Sequence, residues 1–239
     1  MNLELLNASD LRQIEPMLTQ NLYKGFRVPN LMHTYNPLFL VRALFNLFLR
    51  RGGKFIQQEV KDFDIGEEGV QKIHINSDKL KVDKIVLAAG VWSKNLAKKL
   101  GAFVPLEAER GYHIMFNGTD MKLKSAIMSV DRYISITPML KGIRAGGMAE
   151  FASIDTKANM SNAKIIKHHA QFLFPNLNSD NITEWMGPRP SHPDSKPVID
   201  RSPLHNNLYF AFGHDHIGFT LGGITGKVIS ELMTGKKTT

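Results

Sequence analysis

The stretch from Leu208 to Gly226 carries the most chemical promise. An apolar run, Leu208 to Phe212, enters Gly213-His214-Asp215-His216-Ile217-Gly218-Phe219-Thr220, and Gly222, Gly223 and Gly226 follow. The pattern predicts a strand, a Gly-rich loop and a helix with small residues in its first turns. Glycine lets backbone approach a ligand closely. The start of a helix offers unpaired N–H groups and a partial positive charge, which stabilise an anion or a developing negative charge. A purely structural strand-to-helix turn explains the same pattern equally well.

A second stretch is Trp185-Met186-Gly187-Pro188-Arg189-Pro190, followed by Pro193-Asp194. An arginine between two prolines sits in a stiff, extended segment, so its guanidinium is pre-aimed and can grip a carboxylate through two hydrogen bonds. The alternative is a surface arginine, or one paired with Asp194 or Asp200. A third stretch, Val86 to Ser93, places Ala88, Ala89 and Gly90 after a strand. Small residues at the carboxyl edge of an open α/β sheet allow a ligand to approach. A tight helix–strand crossing is compatible with the same residues.

Other chemistries are disfavoured. The sequence has no cysteine, which removes disulfides, thiol nucleophiles and thiolate metal sites. His214 and His216 have the spacing of two imidazoles on one side of a strand, but no third ligand stands at a convincing spacing, so no metal site is expected. No Walker-type loop, Gly-x-Ser-x-Gly elbow or His-Glu-x-x-His occurs. The formal net charge of +8 points to an anionic partner. The basic pairs (Lys79 and Lys81, Lys98-Lys99, Lys122 and Lys124, Lys236-Lys237) are scattered and lack interleaved aromatics, which argues against nucleic acid. No signal peptide is evident, and no apolar run approaches the roughly 20 residues of a spanning helix.

These residues need a scaffold. A short strand and a helix capped by Ser9 and limited by Pro16 open the chain. Tyr23 to Tyr35 reads as extended segments with turns. Asn36-Pro37 begins a helix that Gly52-Gly53 ends, and its apolar residues on most sides predict that it is buried. Short strands follow to Ser77, Asp78 to Lys81 reads as a turn, a strand covers Val82 to Leu87, and within and beyond it Ile85 to Gly90 reads as a central strand covered on both faces. A helix covers 93 to 100. The region from 104 to about 151 is β again, with candidate strands at Tyr112–Phe116, Ala126–Ser129, Tyr133–Pro138 and Gly142–Gly147. A helix spans 162 to 174, strands return from Trp185, and Thr220 to Met233 closes the chain as a helix. The order suggests two interleaved lobes.

Taken in sequence, these stretches resemble the D-amino-acid oxidase and dehydrogenase family of FAD-dependent amine oxidoreductases. The likeness rests on Leu11-Arg12-Gln13-Ile14-Glu15-Pro16, Gly52-Gly53, Ile85 to Ser93, Arg110-Gly111-Tyr112, Arg144 to Glu150, Gly187 to Pro190, Pro193-Asp194, Pro197-Val198-Ile199 and Gly213 to Gly226. The resemblance implies an α/β protein with an α+β substrate lobe. In it, an incomplete Rossmann-like FAD-binding domain (36–103 and 187–239) is interleaved with an antiparallel-sheet substrate domain (1–35 and 104–186). The family's N-terminal strand–Gly-x-Gly-x-x-Gly–helix unit is not found here; before residue 50 the only glycine is Gly25. The expectation is therefore a truncated chain, or one that works with a separate N-terminal segment or partner subunit.

The resemblance further implies hydride transfer from a small amino acid to flavin, with Arg189 pairing the substrate carboxylate. It implies that Gly218, Phe219, Thr220 and the helix start stabilise negative charge on the reduced flavin. Val60 would face the adenine side, and Ala89, Gly90, Trp92, Gly187, Gly213 and His214 would border the cofactor. Tyr112, Tyr133 and His216 are candidates for the substrate wall, with ordinary strand aromatics as the alternative for the two tyrosines. Asp215 and His216 depart from the family's common choices and bear on substrate preference; Pro188 and Asp200 depart as well. The electron acceptor would be oxygen or a quinone chain. The expected location is the cytoplasm, or the inner face of the membrane as a peripheral protein. A non-catalytic remnant and a basic nucleic-acid-binding module are the competing expectations.

Overall fold

The computed structural model describes residues 2–76 and 78–236. Met1, Ser77 and residues 237–239 lie outside the described residues, and with them the end of the expected strand at Ser77 and the second lysine of the Lys236-Lys237 pair. In chain order the elements are β1 (Glu4–Asn7), α1 (Ala8–Ile14), β2 (Lys24–Arg27), α2 (Pro37–Arg50), β3 (Val60–Gly66), β4 (Gly69–Ile75), β5 (Asp78–Lys81) and β6 (Ile85–Leu87). Then follow α3 (Ser93–Lys99), β7 (Glu107–Asn117), β8 (Ile127–Ser129), β9 (Ile134–Met139), β10 (Gly142–Phe151), α4 (Ser161–Leu173), β11 (Ile182–Ser191), β12 (Val198–Arg201), β13 (Leu208–Phe212) and α5 (Gly218–Thr234). This is a mixed α/β fold with several antiparallel sheets.

The chain divides into two compact units. The first comprises Met1–Lys54, Gly111–Ala149 and Lys157–Gly187. Its core gathers Tyr112, Ile114 and Phe116 of β7, Ile134 and Ile136 of β9, Ile143 and Ala145 of β10, and Ala163, Ile166, Ala170 and Leu173 of α4. The strand residues recur with period two and the α4 residues at spacings of three and four, so each element turns one apolar face inward. The sheet order is β11-β7-β10-β9-β8.

The helix α1 is capped two residues before the expected position. Asn7, not Ser9, takes the cap position: its side chain accepts from the amides of Ser9 and Asp10, and Asp10 accepts from the Asn7 amide at 2.9 Å. This reciprocal box satisfies more orphan donors than Ser9 alone would.

The helix α2 begins as expected, with the Asn36 side-chain Oδ1 accepting from Phe39 N at 3.2 Å and Pro37 in the first turn. It is not buried, contrary to the expectation from its composition. None of its residues is buried, and Leu38, Phe39 and Leu44 are each more than half exposed. Its apolar residues are spread around the helix, and among the described residues no element covers them. The cap and the Phe45–Phe48 ring contact at 6.5 Å support it locally.

The second unit comprises Phe55–Arg110, Glu150–Thr156 and Pro188–Thr239. Its core joins Val70, Ile85, Leu87, Ala97, Leu100, Leu106, Leu208, Phe210 and Phe212. The strands β3, β4 and β5 form an antiparallel meander, so Asp78–Lys81 is a strand and not the expected turn. The pairing of Leu80 with Ile73, and of the neighbouring backbone with β4, overrides the polar composition. A second sheet has the order β12-β13-β6, with β13 parallel to β6 and antiparallel to β12. The central strand of this sheet is thus β13, and β6 lies at its edge. Ile85 and Leu87 are buried while Val86 is only partly so, because Val86 borders a cavity.

Candidate functional site

A cavity of about 470 Å³ opens in the second unit where β6 and β13 end and α5 begins. Its walls include Val86, Ala88, Gly90, Gly213, Gly222 and Thr225. A volume in this range suits a small-molecule ligand. The glycines are what keep it open. A side chain at Gly213 would need φ of +81° and would bring a Cβ to 2.2 Å from His192 Nε2. At Gly222 and Gly226 a Cβ would meet nothing within 4 Å, so methyl groups there would project into open space.

The helix α5 starts at Gly218 with no side-chain cap, which leaves the N–H groups of its first turn available beside the cavity. Thr225 receives His214: the imidazole Nε2 and the Thr225 hydroxyl are 2.8 Å apart, both residues buried. Burial holds the His214 pKa below the usual histidine value. The expected strand geometry for His214 and His216 is not seen. His214 caps a single 3-10 turn, Asp215–Ile217, so the two imidazoles take different partners.

Beside the cavity stands a network of charge. Arg189, in the strand β11, donates from Nη1 to Glu109 Oε1 at 2.8 Å. Glu109 belongs to the strand β7, and its side chain is 8% exposed. The Ser191 hydroxyl lies 3.2 Å from Glu109 Oε2 and 2.8 Å from Asp215 Oδ1. His216 Nε2 lies 2.9 Å from Glu109 Oε1 and 3.2 Å from Asp215 Oδ1. Asp215 of this network and Pro190, the neighbour of Arg189 in the chain, line the cavity, so the network adjoins it. Asp215 has φ of +51°, an uncommon conformation for a residue with a side chain.

Glu109, Asp215 and His216 have the donor set of a cation site, with ligand atoms within 4.8 Å of one another. The Glu109 oxygen already pairs with the Arg189 guanidinium at 2.8 Å. The arrangement is that of an ion-pair network with an aimed arginine.

Arg189 thus pairs with neither Asp194 nor Asp200, the partners its sequence neighbourhood offered. The partner is 80 residues away. Glu109 and Ser191 were not singled out from sequence. Ser191 stands two residues beyond Arg189 in the same strand, and that period-two spacing puts both side chains on one face. No local signal pairs Glu109 with Arg189, because strand pairing at that separation is tertiary.

The remaining candidates are dispersed. Ala89 donates its amide to the buried Ser93 hydroxyl at 3.1 Å, which shapes the turn after β6. Gly90 has φ of +56° and borders the cavity. Trp92 and Phe219 are exposed, Thr220 is exposed in the first turn of α5, and Val60 begins β3 opposite Ile75. In the first unit, Tyr112 is buried with its hydroxyl accepting from the Asn159 amide at 3.2 Å. Tyr133 is exposed with φ of +51°. Gly187 leaves room for the Trp185 indole, which a Cβ would approach to 1.9 Å. The neighbouring motif residue Arg110 is fully buried, donates to the carbonyls of Ser153 and Thr156, and faces Glu150 at 3.5 Å.

Residues 1–232 match the model of the DAO family of FAD dependent oxidoreductases. A D-amino-acid oxidase of Bradyrhizobium diazoefficiens is 32% identical over 236 residues, covering 97% of this chain and 56% of that protein. Among solved structures, glycine oxidase from Geobacillus kaustophilus superposes with a TM-score of 0.90 at 20% identity, over 99% of this chain and 64% of that one. L-proline dehydrogenase from P. horikoshii superposes with a TM-score of 0.80 at 20% identity, over 99% of this chain and 66% of that one. The chain therefore spans somewhat more than half the length of the curated relative and about two thirds of these structures. Among the described residues no helix is long and apolar enough to cross a membrane. The family match over almost the whole chain, on a fold shared with glycine oxidase, shows that this chain belongs to the DAO family of FAD-dependent oxidoreductases.

Proposed function

We propose that this chain forms the flavin-facing and substrate-facing part of an enzyme that oxidises the C–N bond of a small amino acid, with the D-series favoured by its curated relative. The observation that carries the reading is Arg189, held by Glu109 in a network that adjoins, through Asp215, a glycine-lined cavity at the start of α5.

The residues present fit the flavin end of FAD. The cavity is largely apolar, its glycines leave space where a flat ring system would lie, and the uncapped helix start suits negative charge. They do not supply the pyrophosphate cradle, since the sequence contains no Gly-x-Gly-x-x-Gly. When bound, FAD supplies the acceptor for a hydride from the substrate carbon. Arg189 binds the substrate carboxylate and Glu109 fixes the guanidinium. The two together set the direction from which the α-carbon meets the cavity, a proximity effect. The first-turn amides of α5 stabilise negative charge that develops against them. The imino acid product would be hydrolysed by water to a keto acid and ammonia, with oxygen or a quinone chain as the electron acceptor the reading calls for.

A second reading follows from α2, whose apolar residues stand exposed: α2 packs against polypeptide beyond these 239 residues, which contributes to the complete flavoprotein.

The test uses Arg189→Ala. Substrate binding should weaken at least roughly a hundredfold, the scale of a lost bidentate charged contact, while flavin binding stays unchanged. Equal substrate binding by both proteins overturns the assignment.

A further inference from the structure

Arg189 makes one hydrogen bond among the described residues, from Nη1 to Glu109, and its side chain is 27% exposed. Its remaining donors are open to a ligand carboxylate. The surrounding groups carry a surplus of negative charge. Glu109 and Asp215 are two largely buried carboxylates, with 8% and 13% side-chain exposure, against one permanent cation. Two carboxylates taken out of water need more than one compensating charge. Their other donors are shared: one Ser191 hydroxyl proton serves two carboxylate oxygens, and one His216 nitrogen serves two. Each carboxylate has about four lone-pair sites, so the network can accept further N–H groups.

The geometry fits an α-amino acid. Its nitrogen lies about 2.5 Å from its carboxylate carbon, as standard bond lengths and angles require. A ligand whose carboxylate sits on the guanidinium therefore carries its nitrogen into reach of an oxygen that is itself 2.8 Å from that guanidinium. An ammonium brings three donors and the missing positive charge.

Building on the proposed amino-acid oxidation, we infer that Glu109, with Asp215, is the specificity-determining acceptor for the substrate nitrogen, so that the rim reads a carboxylate and an ammonium together. A carboxylate without the neighbouring nitrogen leaves the second carboxylate uncompensated and binds less well.

The test compares D-alanine with propionate, which differs by the loss of the amine, in NMR titrations of the 239-residue chain. The chain should prefer D-alanine by about tenfold, the value of one charge-assisted contact in water-accessible surroundings. Glu109→Gln keeps a carbonyl oxygen facing Arg189 and should bring the preference close to one, with propionate binding unchanged or improved. Glu109→Asp, which keeps the charge, should retain part of it. If Glu109→Gln fails to fold by circular dichroism, Asp215→Asn in the loop gives the same ratio test. Equal weakening of both ligands in the glutamine variant means that Glu109 serves only to hold Arg189, and overturns this inference alone. Failure of both compounds to bind the unaltered chain, or binding of both that survives Arg189→Ala, removes the amino-acid reading itself.

Discussion

Histidine 113 shows how a residue's surroundings set its chemistry. Its ring stacks on Trp185 with centroids 4.9 Å apart, and Arg144 Nη2 lies 3.4 Å from Nδ1. Burial first, and the Arg144 charge second, lower its pKa from 6.5 to about 4. The sign of the effect on stability is fixed by linkage. Between pH 6.5 and about 4 the unfolded chain binds a proton at this position and the folded chain does not. The stabilisation is therefore complete above pH 6.5 and is lost as the pH falls toward 4. His214, also shifted down by burial, acts in the same direction. Urea midpoints measured across this range should fall less steeply for His113→Gln than for the unaltered chain; parallel curves would show the imidazole to be solvated. At this scale the sequence was legible where the chemistry is local. Arg189 stood out between its prolines, and Gly213 and Gly218 stood out in their loop. Glu109 did not, because its meaning comes from a strand pairing across 80 residues.

At the scale of elements, periodicity and the cap of α2 read well, while the cap of α1 and the burial of α2 read badly. Both ends of α2 follow from Asn36-Pro37 and Gly52, whose φ is +87°. Its surroundings do not follow, because an apolar surface states what a helix avoids and not what covers it. The strand β5 failed for a related reason: Asp78-Lys79-Leu80-Lys81 has turn-like composition, and only pairing with β4 makes it a strand. The exposure of α2 has a direct consequence. Leu40 and Leu44, 46% and 58% exposed, lie one turn apart. Lysine has a helix propensity close to that of leucine. Leu40→Lys combined with Leu44→Lys should leave stability within about 0.5 kcal/mol and lower self-association seen by sedimentation at high protein concentration. A loss of about 2 kcal/mol or more would mean that α2 is covered in solution.

For the whole molecule, two cores and a family match over residues 1–232 coexist with coverage of 56% of the D-amino-acid oxidase relative. The consequence can be placed on the two halves of FAD. On the proposed reading, the flavin half would meet a cavity, a glycine-lined wall and a helix start within these 239 residues. The adenosine half would draw its affinity from charge-assisted contacts to the pyrophosphate, each worth about 1.5–3 kcal/mol, and the Gly-x-Gly-x-x-Gly turn that provides them is not in this sequence. FMN and FAD should then bind this chain with dissociation constants within about tenfold of each other, a difference of about 1.4 kcal/mol. Quenching of flavin fluorescence measures both in one format. FAD binding more than a hundredfold tighter would mean that residues on this chain hold the adenosine diphosphate. Backbone contact at Val60, at the start of β3, would then be the first place to look, because an N–H or C=O there can meet an adenine edge without a specialised side chain.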